Sequence, residues 1–308
     1  MISSAVRQSV MFAAFERVRD NHGCAGVDCV TIEKFEGEVE KNLAELSHEL
    51  ATGSYRPLPL IKIIVDKGNG EGRSLSIGAI RDRIAQTAVL SVIAPLFEAE
   101  FEDCSFAFRK GRSVRQAVDR IRKYYDQGFK WVVDADIDEF FNTVNHEILL
   151  KKAGKLIKDA AILRLIELWV KVEVWDGEAL SVLSRGIPQG SVVSPILANL
   201  FLDELDEALL SRGYKLVRYA DDFIILCKDK AEAEKALELT DSVLDKLSLT
   251  LDESDIVSFD QGFKFLGVLF LKSVVLVPYD RPKKIKRVIH YPDPINLPAY
   301  LLKREKGW

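Results

Sequence analysis

Reactive side chains are scarce in this chain: its 308 residues include four cysteines, four histidines and two methionines. Cys24, Cys29, Cys104 and Cys227 form no CxxC pair and have no matching histidine spacing. That excludes a zinc site with four spaced ligands and leaves free, buried thiols in a reducing compartment as the expectation. Long apolar runs are missing too. Nothing reaches the ~18 uninterrupted apolar residues of a membrane helix. Residues 1–7 lack the basic start and apolar core of a leader, so the cytoplasm is the expected compartment and no membrane is an expected partner. Positive charge is not in excess either: 43 Lys and Arg stand against 47 Asp and Glu, a formal net charge of -4. Any nucleic-acid contact then falls to local stripes: Arg81 with Arg83, Arg109 and Lys110 with Arg112, and the tail at 281–287.

What the chain does hold is acid in a particular setting. A hydrophobic content of 48% supplies the core of one large or two modest domains. Asp221 and Asp222 lie side by side between apolar runs at 216–219 and 223–226. Two strands meeting there at a tight turn carry both carboxylates at the tip, where they repel unless cations lie between them. Upstream, residues 131–133 predict a buried strand, and Asp134 and Asp136 follow at alternating positions, on one side of it. Oxygen ligands from separate strands, with positions left open for phosphate oxygens and water, describe a Mg2+ site rather than a zinc or calcium cage. Two such ions ~3.5–4 Å apart activate an attacking hydroxyl and stabilise leaving pyrophosphate, which is polymerase chemistry.

Helices are predicted over 4–20 and 32–50, parted by a glycine-bearing turn at 23–28; Thr31, with Lys34 where a capping-box acid would stand, is a partial helix start. A hairpin is predicted from 56–65 and 73–77 around the glycine-rich turn 67–72. Further helices are predicted at 79–101, interrupted by Pro95, and at 113–126 with Ser113 as N-cap. Beyond the 131 strand come helices at 146–153 and 158–171, and a hairpin turning at Asp176-Gly177. A helix at 194–210 opened by Pro195, the Asp-Asp hairpin, a helix at 231–247 and a closing strand pair at 263–271 and 274–277 complete the pass. Strand, helix, hairpin, helix, strand is the order of a ferredoxin-like plait, so the expected class is α+β. The proline-punctuated basic segment 278–308 is expected to be a linker or the start of a following domain.

Short motifs follow one another along the chain: Ala25-Gly26-Val27-Asp28, Tyr55-Arg56-Pro57 through Arg81-Asp82-Arg83, and Phe106-Ala107-Phe108-Arg109-Lys110-Gly111-Arg112-Ser113. The block 136–141, Gly186-Ile187-Pro188-Gln189-Gly190-Ser191 with Ser194-Pro195, Tyr219-Ala220-Asp221-Asp222 and Phe265-Leu266-Gly267 come next. Taken in this order, they resemble the motifs of reverse transcriptases of the bacterial group II intron-like lineage. The resemblance implies a right-hand polymerase with fingers from 1–78 and 147–185, a ferredoxin-like palm from 79–146 and 186–277, and a thumb short or absent. It implies an RNA-directed DNA polymerase acting on an RNA template, a DNA or RNA primer and dNTPs, with two Mg2+ ions and Mn2+ as a substitute. Asp136, Asp221 and Asp222 are the implied catalytic residues, and the implied metal ligands are these three with Ile137. By the same resemblance Phe141 is the steric gate against a 2′-hydroxyl, Lys67 and Arg73 clamp the triphosphate, and Gln189 lines the nucleotide pocket. Arg81, Arg83, Arg109 and Arg112 are the implied nucleic-acid contacts.

Two departures stand out. Glu253 occupies the position of a family lysine, which puts general-acid assistance there in doubt. Intron-encoded enzymes continue into a thumb and maturase region where this chain ends soon after the palm, so a self-splicing intron is a less expected partner. The segment Leu297-Pro298-Ala299-Tyr300-Leu301-Leu302-Lys303-Arg304-Glu305 resembles the opening strand of the CRISPR adaptation integrase. The branch implied is CRISPR-associated, with spacer acquisition, an antiviral defence, as the setting and that integrase as partner. The alternatives are a retron or other bacterial reverse transcriptase, or a weakly catalytic nucleic-acid-binding subunit of an integrase complex.

Overall fold

The computed structural model describes residues 1–66, 72–276, 288–290 and 292. Lys67, the basic tail 281–287 and the motif at 297–305 lie outside the described residues. The described residues form two compact units, the first from within 1–96, 153–194 and 284–308, the second from within 97–152 and 195–283.

The first unit opens with α1 (Ile2–Ala5), α2 (Gln8–Asp20), α3 (Ile32–Glu36), α4 (Val39–Thr52), β1 (Leu60–Asp66), β2 (Gly72–Ile77) and α5 (Ile80–Glu98). The chain then supplies α6 (Val114–Asp126), β3 (Trp131–Ile137), α7 (Phe140–Thr143) and α8 (His146–Leu156). It returns to the first unit for α9 (Ala160–Val170), β4 (Glu173–Trp175) and β5 (Leu180–Val182). The second unit resumes with α10 (Ser194–Ser211), β6 (Lys215–Tyr219), β7 (Asp222–Cys227), α11 (Lys230–Lys246), β8 (Leu251–Ser258), β9 (Phe263–Phe265), β10 (Val268–Leu271) and β11 (Val274–Leu276). A last strand, β12 (Val288–His290), belongs to the first unit. The units divide after 96, 152 and 194, within α5, α8 and α10; the expected fingers and palm ranges divide after 78, 146 and 185.

In the first unit β1 and β2 form the expected hairpin, in register from Ile61↔Ile77 to Asp66↔Gly72. The other edge of β1 takes β4 in parallel and β12 antiparallel. Alternation along β1 buries Ile61, Ile63 and Val65 with Val27 in one small cluster. The predicted second hairpin also forms: Asp176 Oδ1 accepts the amides of Glu178 and Ala179, both at 2.9 Å, which closes the turn between β4 and β5. The helices differ in detail. The span 4–20 is two helices split at Arg7, whose backbone is extended, and 32–50 breaks between α3 and α4 near Gly37. By contrast α5 runs unbroken through Pro95.

The second unit holds the four-stranded sheet β6-β7-β3-β8 with every neighbouring pair antiparallel. With α10 leading into β6 and α11 joining β7 to β8, this is the expected ferredoxin-like plait. Its closing strand is not the expected one. Residues 251–258 pair along central β3 as β8, whereas the apolar stretches expected to close the plait form a separate sheet, β9-β10-β11. Asp252, Glu253 and Asp255 give β8 no apolar alternation, so its pairing with β3 and the packing of α11 on it decide its structure. One face of the plait buries Val132, Val217, Ile224 and Leu226 against Ala117 and Ile121 of α6 and against Phe265 and Phe270. Each fully buried large side chain contributes about 1.5–3 kcal/mol.

Ser113 caps α6 as expected, accepting the Gln116 amide. Thr31 caps α3 through the Lys34 amide without a capping-box acid. Cys104 and Cys227 are buried; Cys24 and Cys29, expected to be buried, are exposed because they lie in the irregular segment between α2 and α3. Among the described residues no helix is long and apolar enough to cross a membrane.

Candidate active site

The β3–β7 register runs from Trp131↔Cys227 to Ala135↔Phe223. One step further along the two strands brings Asp136 across from Asp222, on the face that also carries Asp134. Tyr219 pairs with Asp222, so Ala220 and Asp221 form a two-residue hairpin loop. Ala220 takes φ 65, a positive value at the first loop position that a type II′ turn requires and that normally goes to glycine. The neighbouring β8 sets Asp255 beside Asp134 and presents Asp252 and Glu253. These acids act on one another through a partly buried site. Burial first, then Asp255 and Asp136, push Asp134 up to about 6. Burial, then Asp134, Asp136 and Asp221, push Asp222 up to about 7. Asp136 is raised by burial, by Asp221 and by Asp252 and Glu253, against a hydrogen bond it accepts from the Ile137 amide at 3.0 Å. Glu253 therefore adds negative charge beside Asp136.

Among the described residues, no three His, Cys, Asp or Glu side chains close around a common point tightly enough to hold an ion as they stand. The fit to a divalent cation is one of donor type and field: hard carboxylate oxygens, set by adjacent strands, each disfavoured as an anion by its acidic neighbours. Ile137 buries its side chain and has only its backbone carbonyl to offer.

Phe141 follows the acidic strand on α7, which starts from Glu139 at φ 39. Its half-exposed ring stands edge-on to buried Phe140 at 5.4 Å, and Phe140 packs on Phe201 at 6.2 Å. In the first unit Gln189 is held by its backbone: its carbonyl accepts the Ser76 amide of β2 at 2.6 Å. Gly190, at φ 109, lies so close to the Ser76 carbonyl that any Cβ would run into it, hence glycine. Arg73 is exposed on the same strand, opposite Val65. Gln86 was not singled out from sequence, yet its Oε1 accepts both the Ser191 hydroxyl and the Val192 amide at 2.9 Å and so anchors the Gln189 loop. Its only signal in the sequence is an uncharged amide between Ile84-Ala85 and Ala88-Val89, in a helix that also carries Arg81, Asp82, Arg83 and Thr87.

The arginines expected on nucleic acid all bond to the chain's own groups, Arg109 in the interior and Arg81, Arg83 and Arg112 while partly exposed. Arg109 requires correction: its side chain is 3% exposed and donates to the Glu98 carboxylate at 2.7–3.1 Å. It also donates to the carbonyls of Phe101, Glu102 and Ser105 at 2.5–3.3 Å. Its five donors staple a loop, a use that charge clustering in the sequence does not distinguish from phosphate binding. Arg81 pairs with Glu49 at 2.5 Å, Arg83 donates to the carbonyls of Gly78 and Cys24, and Arg112 pairs with Asp103 at 2.5 Å.

Residues 64–270 match the model of the family described as reverse transcriptase (RNA-dependent DNA polymerase), whose members work with divalent metal ions. Protein YkfC of Escherichia coli strain K12 is 33% identical over 283 residues, covering 79% of this chain and 74% of YkfC. The group II intron-encoded protein LtrA of Lactococcus lactis subsp. cremoris is 29% identical over 220 residues, covering 71% of this chain and 36% of LtrA. The chain thus spans little more than a third of LtrA. Among solved structures, apo telomerase from Candida tropicalis, truncated from its C-terminal domain, aligns with a TM-score of 0.56 at 13% identity. That alignment covers 76% of this chain and 59% of the telomerase chain, a likeness of fold. With the family model matched from the first fingers-type hairpin to the strands beyond the plait, the chain belongs to the reverse transcriptase family of RNA-dependent DNA polymerases, in its group II intron-like lineage.

Proposed function

We propose that the chain extends a DNA or RNA primer with dNTPs on an RNA template, with Asp136, Asp221 and Asp222 holding two Mg2+ ions, which Mn2+ can replace. The observation that carries this reading is the meeting of β3 and β7 at their acidic ends, where the influences on Asp222 are burial and three other acids alone. When bound, such ions supply the charge neutralisation that lets a primer 3′-hydroxyl attack the α-phosphate and pyrophosphate leave. The Ile137 carbonyl adds a neutral oxygen to the set. Phe141 fills the space beside the sugar and excludes a 2′-hydroxyl, its ring steadied by Phe140. Arg73, with Lys67, forms charge-assisted hydrogen bonds to the triphosphate. Gln189 meets the nucleotide from a loop whose backbone is pinned to β2. The first unit serves as fingers and the second as palm. Glu253 offers no proton-donating cation to the leaving pyrophosphate.

Primer extension on an RNA template with Mg2+ tests this reading. Wild-type incorporation of dNTPs that Asp222→Ala abolishes supports it; a wild-type protein that binds template and primer but adds no nucleotide overturns it. The proposed setting is spacer acquisition beside the CRISPR adaptation integrase, supported by the resemblance at 297–305. Failure to bind such an integrase would remove the setting and leave the polymerase reading intact.

A further inference from the structure

Beneath the Asp221 and Asp222 turn lies a guanidinium sealed from solvent. Arg218 of β6 and Asp206 of α10 both have side chains 0% exposed. Arg218 Nε donates to Asp206 Oδ1 at 2.7 Å and Nη2 donates to Oδ2 at 2.5 Å, a two-pronged ion pair. The remaining arm, Nη1, donates at 3.0 Å to Asn199 Oδ1 and at 3.0 Å to the backbone carbonyl of Ala220. Asn199 is itself fixed, its amide donating to the Ala107 carbonyl at 2.9 Å. The Arg218 backbone is tied as well: its amide donates to the Cys104 carbonyl at 2.9 Å and its carbonyl accepts the Phe106 amide at 3.0 Å.

Two features here need a reason. An ion pair buried this deeply gives up the hydration of both charges, and an apolar pair of the same volume would hold the fold as well or better. Ala220 sits at φ 65, where a residue with a Cβ is strained. One contact joins the two features, the hydrogen bond from Arg218 to the Ala220 carbonyl. That carbonyl belongs to the peptide whose other end is the Asp221 amide. Rotation of this peptide is the soft motion of a two-residue turn, and it would re-aim the carboxylate that follows.

We propose that Arg218 and Asp206 are a positioning pair: by holding the Ala220 carbonyl they lock the turn in its left-handed form and present Asp221 and Asp222 to a divalent cation in one fixed arrangement. This rests on the metal-binding reading of the turn. Neither residue touches substrate or ion. Asp206 aims the guanidinium, Asn199 fixes its third arm, and Arg218 transmits both to the backbone.

Removing one partner alone strands a buried charge, so the decisive variant replaces both, Arg218→Met with Asp206→Leu, which keeps volume and removes the charges. The double variant is expected to melt at or above the wild-type temperature. Hydrogen exchange of the amides at 220–222 should rise at least about tenfold, with those of Val217 and Ile225 unchanged. Mn2+ binding, read from the paramagnetic signal of the free ion without nucleotide or template, should weaken at least about tenfold, one decade in the binding constant. Arg218→Lys keeps the charge but cannot span Asp206 and the Ala220 carbonyl together, and should fall between wild type and double variant in both readouts. A folded double variant whose turn exchanges at the wild-type rate overturns the positioning pair. Wild-type protein that binds no more Mn2+ than Asp222→Ala overturns the metal reading instead, and the exchange rates then judge the lock separately.

Discussion

Asp82 in the first unit and Asp222 in the second are carboxylates pushed up to about 6 and about 7, and their surroundings are opposite. Asp82 is 2% exposed and accepts the Tyr55 hydroxyl at 2.8 Å and the Leu58 amide at 2.9 Å, with Arg81 3.7 Å away. Trp169 in turn donates to the Tyr55 oxygen at 3.2 Å. Burial raises Asp82; Arg81, the Tyr55 hydroxyl and the Leu58 amide oppose that rise, and Asp28 adds to it. For Asp222 burial and acidic neighbours act together, with nothing opposing them. A raised pKa therefore does not identify a site. A carboxylate whose donors are all supplied by the fold is finished structure, whereas one surrounded by like charge needs a cation from outside.

The sharpest way to break this contrast is to remove each acid in turn. Asp222→Ala should lower primer extension by roughly a thousandfold or more, since metal clamping supplies several kcal/mol and each ~1.4 kcal/mol is a factor of ten. Its urea midpoint should stay at or above the wild-type value because a repelling charge has gone. Asp82→Ala should do the reverse. It leaves the Tyr55 hydroxyl, the Leu58 amide and Arg81 without their acceptor, at a cost of about 3 kcal/mol in unfolding free energy, while synthesis per folded molecule persists. Equal stability losses in the two variants would erase the distinction.

A smaller effect is expected beside the acidic strand. Phe141→Val should raise ribonucleotide incorporation relative to deoxynucleotide by about tenfold in single-nucleotide addition, the scale on which a pocket senses a group of this size. Unchanged discrimination would strip Phe141 of its gate role.

The smallest effect separates the two acids by pH. The folded pKa values of Asp82, Asp134 and Asp222 lie above the ~3.9 of an unfolded aspartate. The folded state therefore holds extra protons between about pH 4 and 7, and stability falls as pH rises through that window. A divalent ion relieves the loss at Asp134 and Asp222 and leaves that at Asp82. Thermal melts with Mg2+ or EDTA should show an ion-dependent rise of about 2–4 °C at pH 8 and almost none at pH 5, and the rise should vanish in Asp222→Ala. An ion response that survives that substitution would place the cation elsewhere.

Much of the site was legible because its signals are local. Alternating Asp134 and Asp136 after a buried run, and two acids between apolar strands, announce strand ends and a turn before any tertiary contact is known. The plait order was legible for the same reason. Its closing strand was not: β8 is acidic on both faces, and only the open edge of β3 makes it a strand. Arg109 misled because clustered charge looks alike whether guanidinium donors meet phosphates or the chain's own carbonyls. Arg218 left one trace, a cation inside an apolar strand, which does not say where its partner lies.

The sequence by itself determined the chemistry on offer: which residues are acidic, which runs become strands or helices, and which turn carries Asp221. Those properties depend on residue type and short periodicities. Tertiary structure alone decided which acids of different strands come together, which arginines bond to the chain's own groups, and that Asp206 reaches the carbonyl before Asp221 through Arg218. Electrostatics and hydrogen bonding act over a few ångströms in space, and separation along the chain carries almost no information about that distance.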